Sequence, residues 1–248
     1  MRIFKIVLLV LLVVYVLPAA LAALLWKLGE HPSSWRDANW TSAELLPAAG
    51  ESEAAAVYVL AARTGGLKGS LSEHSWIVVK EKGAGRYERW DKVGWGSPIR
   101  RDGYPADGRW YSNPPHIVVA RTGPEAEALI PTVRAAIADY PFARPGGYRI
   151  FPGPNSNTFV AHVMRHVPAL QATLPSAAVG RDYPSDGGFV SFEPALGDLR
   201  LSLAGYAGIV AGRTSGLEVN FLGLVAGIDP LRLAVKIPAF GRFGLLPD

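Results

Sequence analysis

The sequence predicts an α+β domain, an antiparallel sheet with packed helices, carried behind one N-terminal membrane helix. Three observations predict it. Residues 6–26 form a run of 21 residues without a charge. From Val57 to Arg121, apolar and polar residues alternate in short runs separated by Gly-rich turns, the period of half-buried strands. Two later stretches, opening at Pro124 and at Ser156, carry apolar stripes with helical period.

The first element, Ile6 to Trp26, extends about 30 Å at roughly 1.5 Å per helical residue, the hydrocarbon thickness of a bilayer. Arg2 and Lys5 precede it, so the positive-inside rule predicts a cytoplasmic N-terminus and an extracytoplasmic body, periplasmic in a bacterium. A basic start, an apolar stretch to Leu17, Pro18, and Ala20 and Ala22 at A-x-A spacing also describe a cleavable signal peptide. The apolar run continues past that site through Leu24, Leu25 and Trp26, which favours a retained anchor over residues 1–27. Lys27 at the far end is a weak counter-signal.

The chain carries 25 Lys and Arg against 21 Asp and Glu, a net charge of +4. Setting aside Arg2, Lys5 and Lys27, which flank the apolar run, leaves 22 against 21. The basic surplus thus belongs to the membrane segment, and a nucleic-acid partner is not expected. With no cysteine, a disulfide scaffold, a zinc-thiolate site and a cysteine nucleophile are excluded.

Residues 28–55, rich in Ala, Ser, Pro and Glu, read as a tether along the membrane face. Residues 56–170 read as the core, with strands at Val57 to Ala61, Ser72 to Lys80, Arg86 to Val93 and His116 to Arg121. Between the last two lie 22 residues, Gly94 to Pro115, holding Trp95, Tyr104, Trp110, Tyr111 and three arginines. A loop this long and aromatic reads as a groove wall or as a flap covering the sheet. A helix follows from Pro124 to Tyr140, where Pro131 is expected to kink or divide it. Residues 171–248 form a loop and then a β-rich extension in which Leu199, Leu201 and Leu203, and again Leu231, Leu233, Val235 and Ile237, alternate as strands do. No segment there is long enough for a second membrane helix.

The chemistry centres on Pro152-Gly153-Pro154-Asn155-Ser156-Asn157-Thr158-Phe159, a turn running into a helix. Ser156 sits at the helix N-terminus and projects between Phe159 and Val160, toward the sheet. Unpaired backbone N–H groups and the positive end of the helix dipole surround it, the ingredients of an oxyanion hole. The same residues also describe a plain N-cap, by Asn155 or Ser156. A serine nucleophile needs a base, and His74, on a strand, is the candidate; His116 is a third member or an alternative base. Glu88 and Asp91 lie on opposite faces of the intervening strand, so at most one of them can orient His74. Trp95, Trp110, Asn155 and Asn157 are the candidate ligand-binding residues. His162 and His166 have a spacing able to hold a metal, but without a zincin motif they read as solvent-facing, and neither metal nor cofactor is expected.

The segments Glu73-His74-Ser75-Trp76, Gly94-Trp95-Gly96 and Gly153 to Phe159, in that order behind an anchor, resemble the bacterial domain-of-unknown-function family 3750 over residues 55–170. More remotely, a strand histidine ahead of a nucleophile at a helix start is similar to the permuted papain-like fold of NlpC-type and lecithin retinol acyltransferase-like enzymes. That resemblance implies a papain-like core and amide or ester chemistry through an acyl-enzyme, with His74 as the base and Ser156 where those enzymes carry cysteine. A hydroxyl is far less acidic than a thiol, so the pair needs His74 held as an acceptor by a third group.

Two functions follow as expectations. One is a Ser-His acyl hydrolase or acyltransferase acting on an amide or ester of the cell envelope. The other is a module without chemistry, whose aromatic and guanidinium groups hold an envelope glycan, peptide or lipid headgroup, or a scaffold on a membrane partner.

Overall fold

A computed structural model of the chain describes residues 1–245. Helix α1 (Arg2–Leu28) is long and apolar enough to cross a membrane, and its ladder widens to one π turn at Leu12–Val16. Nothing packs on its first part, where no residue is buried. From Tyr15 onward it lies against the body. The Tyr15 hydroxyl donates to the Val219 carbonyl at 3.0 Å, and its ring meets Phe221 edge-on. Further along, the Trp26 ring rests on Gly69, where a Cβ would come within 2.5 Å of the indole; only glycine admits this contact.

The first sheet has the order β4-β3-β2-β1-β5 and is antiparallel throughout. Its strands are β1 (Ala56–Arg63), β2 (Glu73–Lys80), β3 (Glu88–Lys92), β4 (Ile99–Arg101) and β5 (His116–Thr122). Both faces are covered, which is why β1 and β2 are buried at almost every position. Val57, Val59, Ile77 and Val79 point to one face, where they pack with Ile130 and Val133 of α2 (Pro124–Ala138) and Phe159 and Val163 of α3 (Ser156–His166). Tyr58, Leu60, Trp76 and Val78 point to the other.

That second face is roofed by the segment predicted as one long loop. Ile99–Arg101 within it pairs with β3, and Trp110 and Tyr104 pack down on the sheet. The stretch predicted as a tether joins them. Trp40 stacks on Tyr104 and meets Trp110 edge-on, while Asp107 accepts hydrogen bonds from Ser42 and from the Leu45 and Leu46 N–H groups. Residues 40–46 are therefore pinned to the domain. Helix α2 runs through Pro131 without dividing. The hydrogen bond that Pro131 cannot make would have gone to the carbonyl of Glu127, and both residues lie on the exposed side of the helix.

The second sheet is a seven-stranded meander of β6 (Val190–Glu193), β7 (Asp198–Leu203), β8 (Ala207–Gly212), β9 (Gly216–Phe221), β10 (Leu224–Asp229), β11 (Ala234–Ile237) and β12 (Gly241–Gly244), in that spatial order. Leu231 and Leu233, predicted in a strand, belong to the turn before β11. The alternation of this sheet is inverted. Along β7 and β9, Asp198, Arg200, Ser202, Glu218 and Asn220 are buried, while Leu199, Leu201, Leu203, Leu217 and Val219 are exposed. One register line, Phe192–Leu199–Ala211–Leu217–Ile228–Val235–Phe243, crosses all seven strands on the outer face with every residue exposed. The inner face is ionic. Glu218 pairs with Arg181 and Lys236, and Asp182 pairs with Arg200 and accepts from Asn220 at 2.8 Å.

Candidate active site

His74 ends up buried on the roofed face of the first sheet, with Asp91 beside it on the neighbouring strand. Its Nε2 meets the Asp91 carboxylate at 2.9 Å, and Arg89, on the same face two residues earlier, closes on that carboxylate with two nitrogens at 2.7 and 3.0 Å. The period of two along β3 puts Arg89 and Asp91 on one face and Glu88 on the other, so Asp91 is the carboxylate that orients His74. The Arg89 guanidinium stacks over Trp76 at 3.9 Å and donates to the Pro105 carbonyl. Trp110 lies flat on the His74 ring, 3.7 Å between centroids and 5° between planes.

These contacts fix the protonation states. Burial would raise the Asp91 pKa, but the Arg89 charge and the hydrogen bonds from His74 and Arg89 outweigh it and hold the carboxyl down at about 2. Burial lowers the His74 pKa, and the Asp91 contact only partly opposes it, so the imidazole is neutral near pH 7. With Nε2 committed to an ionised carboxylate, that nitrogen carries the proton and Nδ1 holds the lone pair.

Ser156 opens α3 and is buried. The cap is Asn155, whose side-chain oxygen accepts from the Asn157 and Thr158 N–H groups in a capping box with Thr158. Two of the orphan N–H groups at the helix start are thereby used, and the Ser156 N–H remains. Tyr148 lies close by, and the Ser156 N–H and hydroxyl both act to lower the pKa of its phenol. Tyr148 was not singled out from the sequence. Burial pushes its pKa up, so it stays a neutral phenol able to donate.

His74, Ser156 and Tyr148 line one cavity of 330 Å³, together with Trp95, Trp110 and, from the second sheet's edge, Leu222 and Leu224. Its size suits a small ligand or one end of a larger one. Among the described residues, the side-chain hydrogen bond of His74 goes to Asp91, so His74 and Ser156 share the cavity without touching through a hydrogen bond.

The remaining predicted residues divide. Trp95 is half exposed at the cavity. Trp110 is 3% exposed and serves mainly to hold His74 in place. The amides of Asn155 and Asn157 line the cavity but are spent within the protein. Asn155 donates to the Ile150 and Val179 carbonyls, and Asn157 accepts from Ser75 and donates to the Glu73 and Val179 carbonyls. Gly180 makes room for this arrangement, since a Cβ there would fall 2.2 Å from the Asn155 amide. His116 is not brought to Ser156; it is half exposed, 4.0 Å from Glu73, in a separate cleft of 500 Å³.

His162, expected to face solvent, is 2% exposed, with Nδ1 on Ser185 and a buried Nε2 that has no partner. With Asp139 and His166 it forms a group whose ligand atoms lie within 4.8 Å of one another and which could hold a cation, away from the cavity. A second missed residue is Lys92, buried beneath Tyr140 and Tyr148, donating to the Phe142 carbonyl and lowered to about 8 by burial.

Fold and site together define an α+β domain in which a carboxylate-oriented histidine and a helix-start serine share one cavity. Residues 54–183, just over half of the chain, match the family model described as "Protein of unknown function (DUF3750)", and the chain belongs to that family. No curated protein and no solved structure matches it.

Proposed function

We propose that the protein is a membrane-anchored acyl hydrolase or acyltransferase with a papain-like core, using Ser156 as nucleophile, His74 as base and Asp91 as the group that orients it. The observation that carries this reading is the His74 tautomer. A neutral imidazole with Nε2–H on an ionised carboxylate keeps its basic lone pair on Nδ1, and His74 lines the cavity that Ser156 also lines. In the first step the Ser156 hydroxyl gives its proton to His74 Nδ1, and its Oγ bonds to the carbonyl carbon of an ester or amide. The oxyanion settles beside the Ser156 N–H, where the nearby Tyr148 hydroxyl becomes a second donor. The proton on Nδ1 passes to the departing alcohol or amine as its bond to the carbonyl carbon breaks. Water or a second alcohol then releases the acyl group by the reverse proton path. Helix α1 anchors the protein and, with Arg2 and Lys5 at its start, carries the body out of the cytoplasm, toward substrates of the cell envelope.

The test is labelling of the full-length protein in detergent by a fluorophosphonate, which phosphonylates activated serines with loss of fluoride. Wild-type protein is expected to label and Ser156→Ala not to label. His74→Ala should lose as much as Ser156→Ala, because the pair acts as a unit. Equal labelling of all three proteins would end this reading. The binding-module alternative draws on His74 and Ser156 sharing the cavity without a hydrogen bond between them. It predicts no labelling and ligand retention unchanged by Ser156→Ala.

A further inference from the structure

We infer that the outer face of the seven-stranded sheet is seated in the lipid bilayer, in the same leaflet that α1 leaves as it enters the body. The inference rests on the anchoring of α1 and not on any chemistry at Ser156.

Three observations carry it. First, a sheet with one face in water buries its apolar side chains and exposes its polar ones; this one does the reverse. Its outer row runs across seven strands, about 28 Å at the usual spacing of 4.7–4.9 Å. The outward positions of β7, β9 and β11, from Leu199 to Ile237, carry no charged side chain. Monomeric soluble proteins rarely leave so large an apolar patch in water.

Second, the inner face could not turn to water at little cost by exchanging roles, because its charges are already paired. Arg181, Arg200 and Lys236 pair in the interior with Asp182, Glu193 and Glu218, and separating them would leave buried charges without partners. The orientation is thus fixed, and the apolar face has nowhere else to go.

Third, the geometry of α1 commits the occupant to lipid. The fully exposed part of the helix, residues 2–10, covers only about 14 Å at 1.5 Å per residue, against roughly 30 Å of hydrocarbon. To span, the helix must enter beyond Tyr15, and Tyr15 is bonded to β9 of this sheet. The sheet is drawn into the leaflet with it. An open sheet cannot cross the bilayer, since its edges would leave backbone groups unpaired in hydrocarbon. It therefore lies along one leaflet with its outer face toward the acyl chains.

The native chain has no cysteine, so single labels are clean. Full-length protein is reconstituted in phosphatidylcholine–phosphatidylglycerol vesicles, with and without lipid bearing a nitroxide on the acyl chain. It carries the fluorophore NBD at Leu201→Cys, Val235→Cys, Leu9→Cys (in α1) or Lys82→Cys, which is well exposed on the first domain. The expected result is strong quenching at 201, 235 and 9, with protection from aqueous dithionite at 201 and 235, and no quenching at 82. Quenching at 9 alone, with rapid dithionite bleaching at 201 and 235, overturns the seated sheet and leaves the anchor standing. Absence of quenching at 9, 201 and 235 together overturns both. Self-quenching at 201 and 235 that disappears on dilution with unlabelled protein would assign the face to a second copy and likewise overturn the proposal.

Discussion

The two sheets of this protein are built from the same alternation and solve opposite problems. In the first, apolar side chains fill both faces, and the buried charges are few: the Arg89–Asp91–His74 line, and Lys80 and Lys92, which bond backbone carbonyls. In the second, charges fill the inner face and apolar side chains the outer one. The contrast teaches that a period of two specifies which residues share a face but not which face is inside. That choice belongs to whatever each face meets.

The comparison breaks most visibly at the buried ions. Arg89→Ala leaves the Asp91 carboxylate buried without its main partner and should cost about 3–5 kcal/mol, seen as a large drop in Tm. A change of less than about 1 kcal/mol would mean that the line is open to water.

Truncation of apolar residues sharpens the contrast. Leu60→Ala, in the fully buried β1, should cost about 2–5 kcal/mol. Leu201→Ala, on the outer face of the second sheet, should cost within about 0.5 kcal/mol in detergent. Denaturant unfolding in one detergent, measured side by side, checks both; equal losses would remove the distinction between the sheets.

Acid acts next, and on the first domain. His162 is held at about 4, below its ordinary 6.5, chiefly by burial. Between these values the unfolded chain binds the extra proton, so stability rises with pH across this window and is lost as pH falls from about 6.5 toward 4. His74, also lowered by burial, acts in the same direction. The Asp91 contribution is present above 3.8 and disappears as pH falls toward 2. His162→Gln should flatten the unfolding free energy between pH 6.5 and 4; an unchanged slope would show that His162 is not the group titrating.

The smallest expected effect is on stability at Tyr148→Phe, within about 0.5–1.5 kcal/mol for one phenol hydroxyl. Its fluorophosphonate labelling, by contrast, should slow about 100-fold if the phenol serves as an oxyanion donor. A labelling rate equal to wild type would remove Tyr148 from that role.

Much of the first domain was legible in the sequence, because β1, β2, β3, β5 and both body helices are each specified by a local period. The start of α3 was legible too, since turn residues and an Asn-Ser-Asn step declare a cap. The site was legible only in its ends. His74 and Ser156 stand out as residue types, and the strand period limits the carboxylate to Glu88 or Asp91. The Arg89 clamp and the Tyr148 hydroxyl are set by packing between segments far apart in the chain, and nothing local marks them. Trp40 was misread as tether for the same reason, its partners Tyr104 and Trp110 lying more than 60 residues on. In the second sheet the alternation of Leu199, Leu201 and Leu203 was visible, but its direction depends on Arg181 and Asp182, which come from an earlier loop.

That dependence has a consequence for how the chain is made. The seven strands follow one another as hairpins and can pair as soon as they are synthesised, yet the partners of their inner charges sit in the loop that follows α3. The sheet can settle only on a first domain that is already folded, in keeping with N-terminal units folding first during synthesis. Until it does, the nascent ribbon has unpaired charges on one side and bare hydrocarbon on the other, the combination most exposed to aggregation. If α1 anchors the chain as proposed, that ribbon is held beside the membrane throughout its assembly.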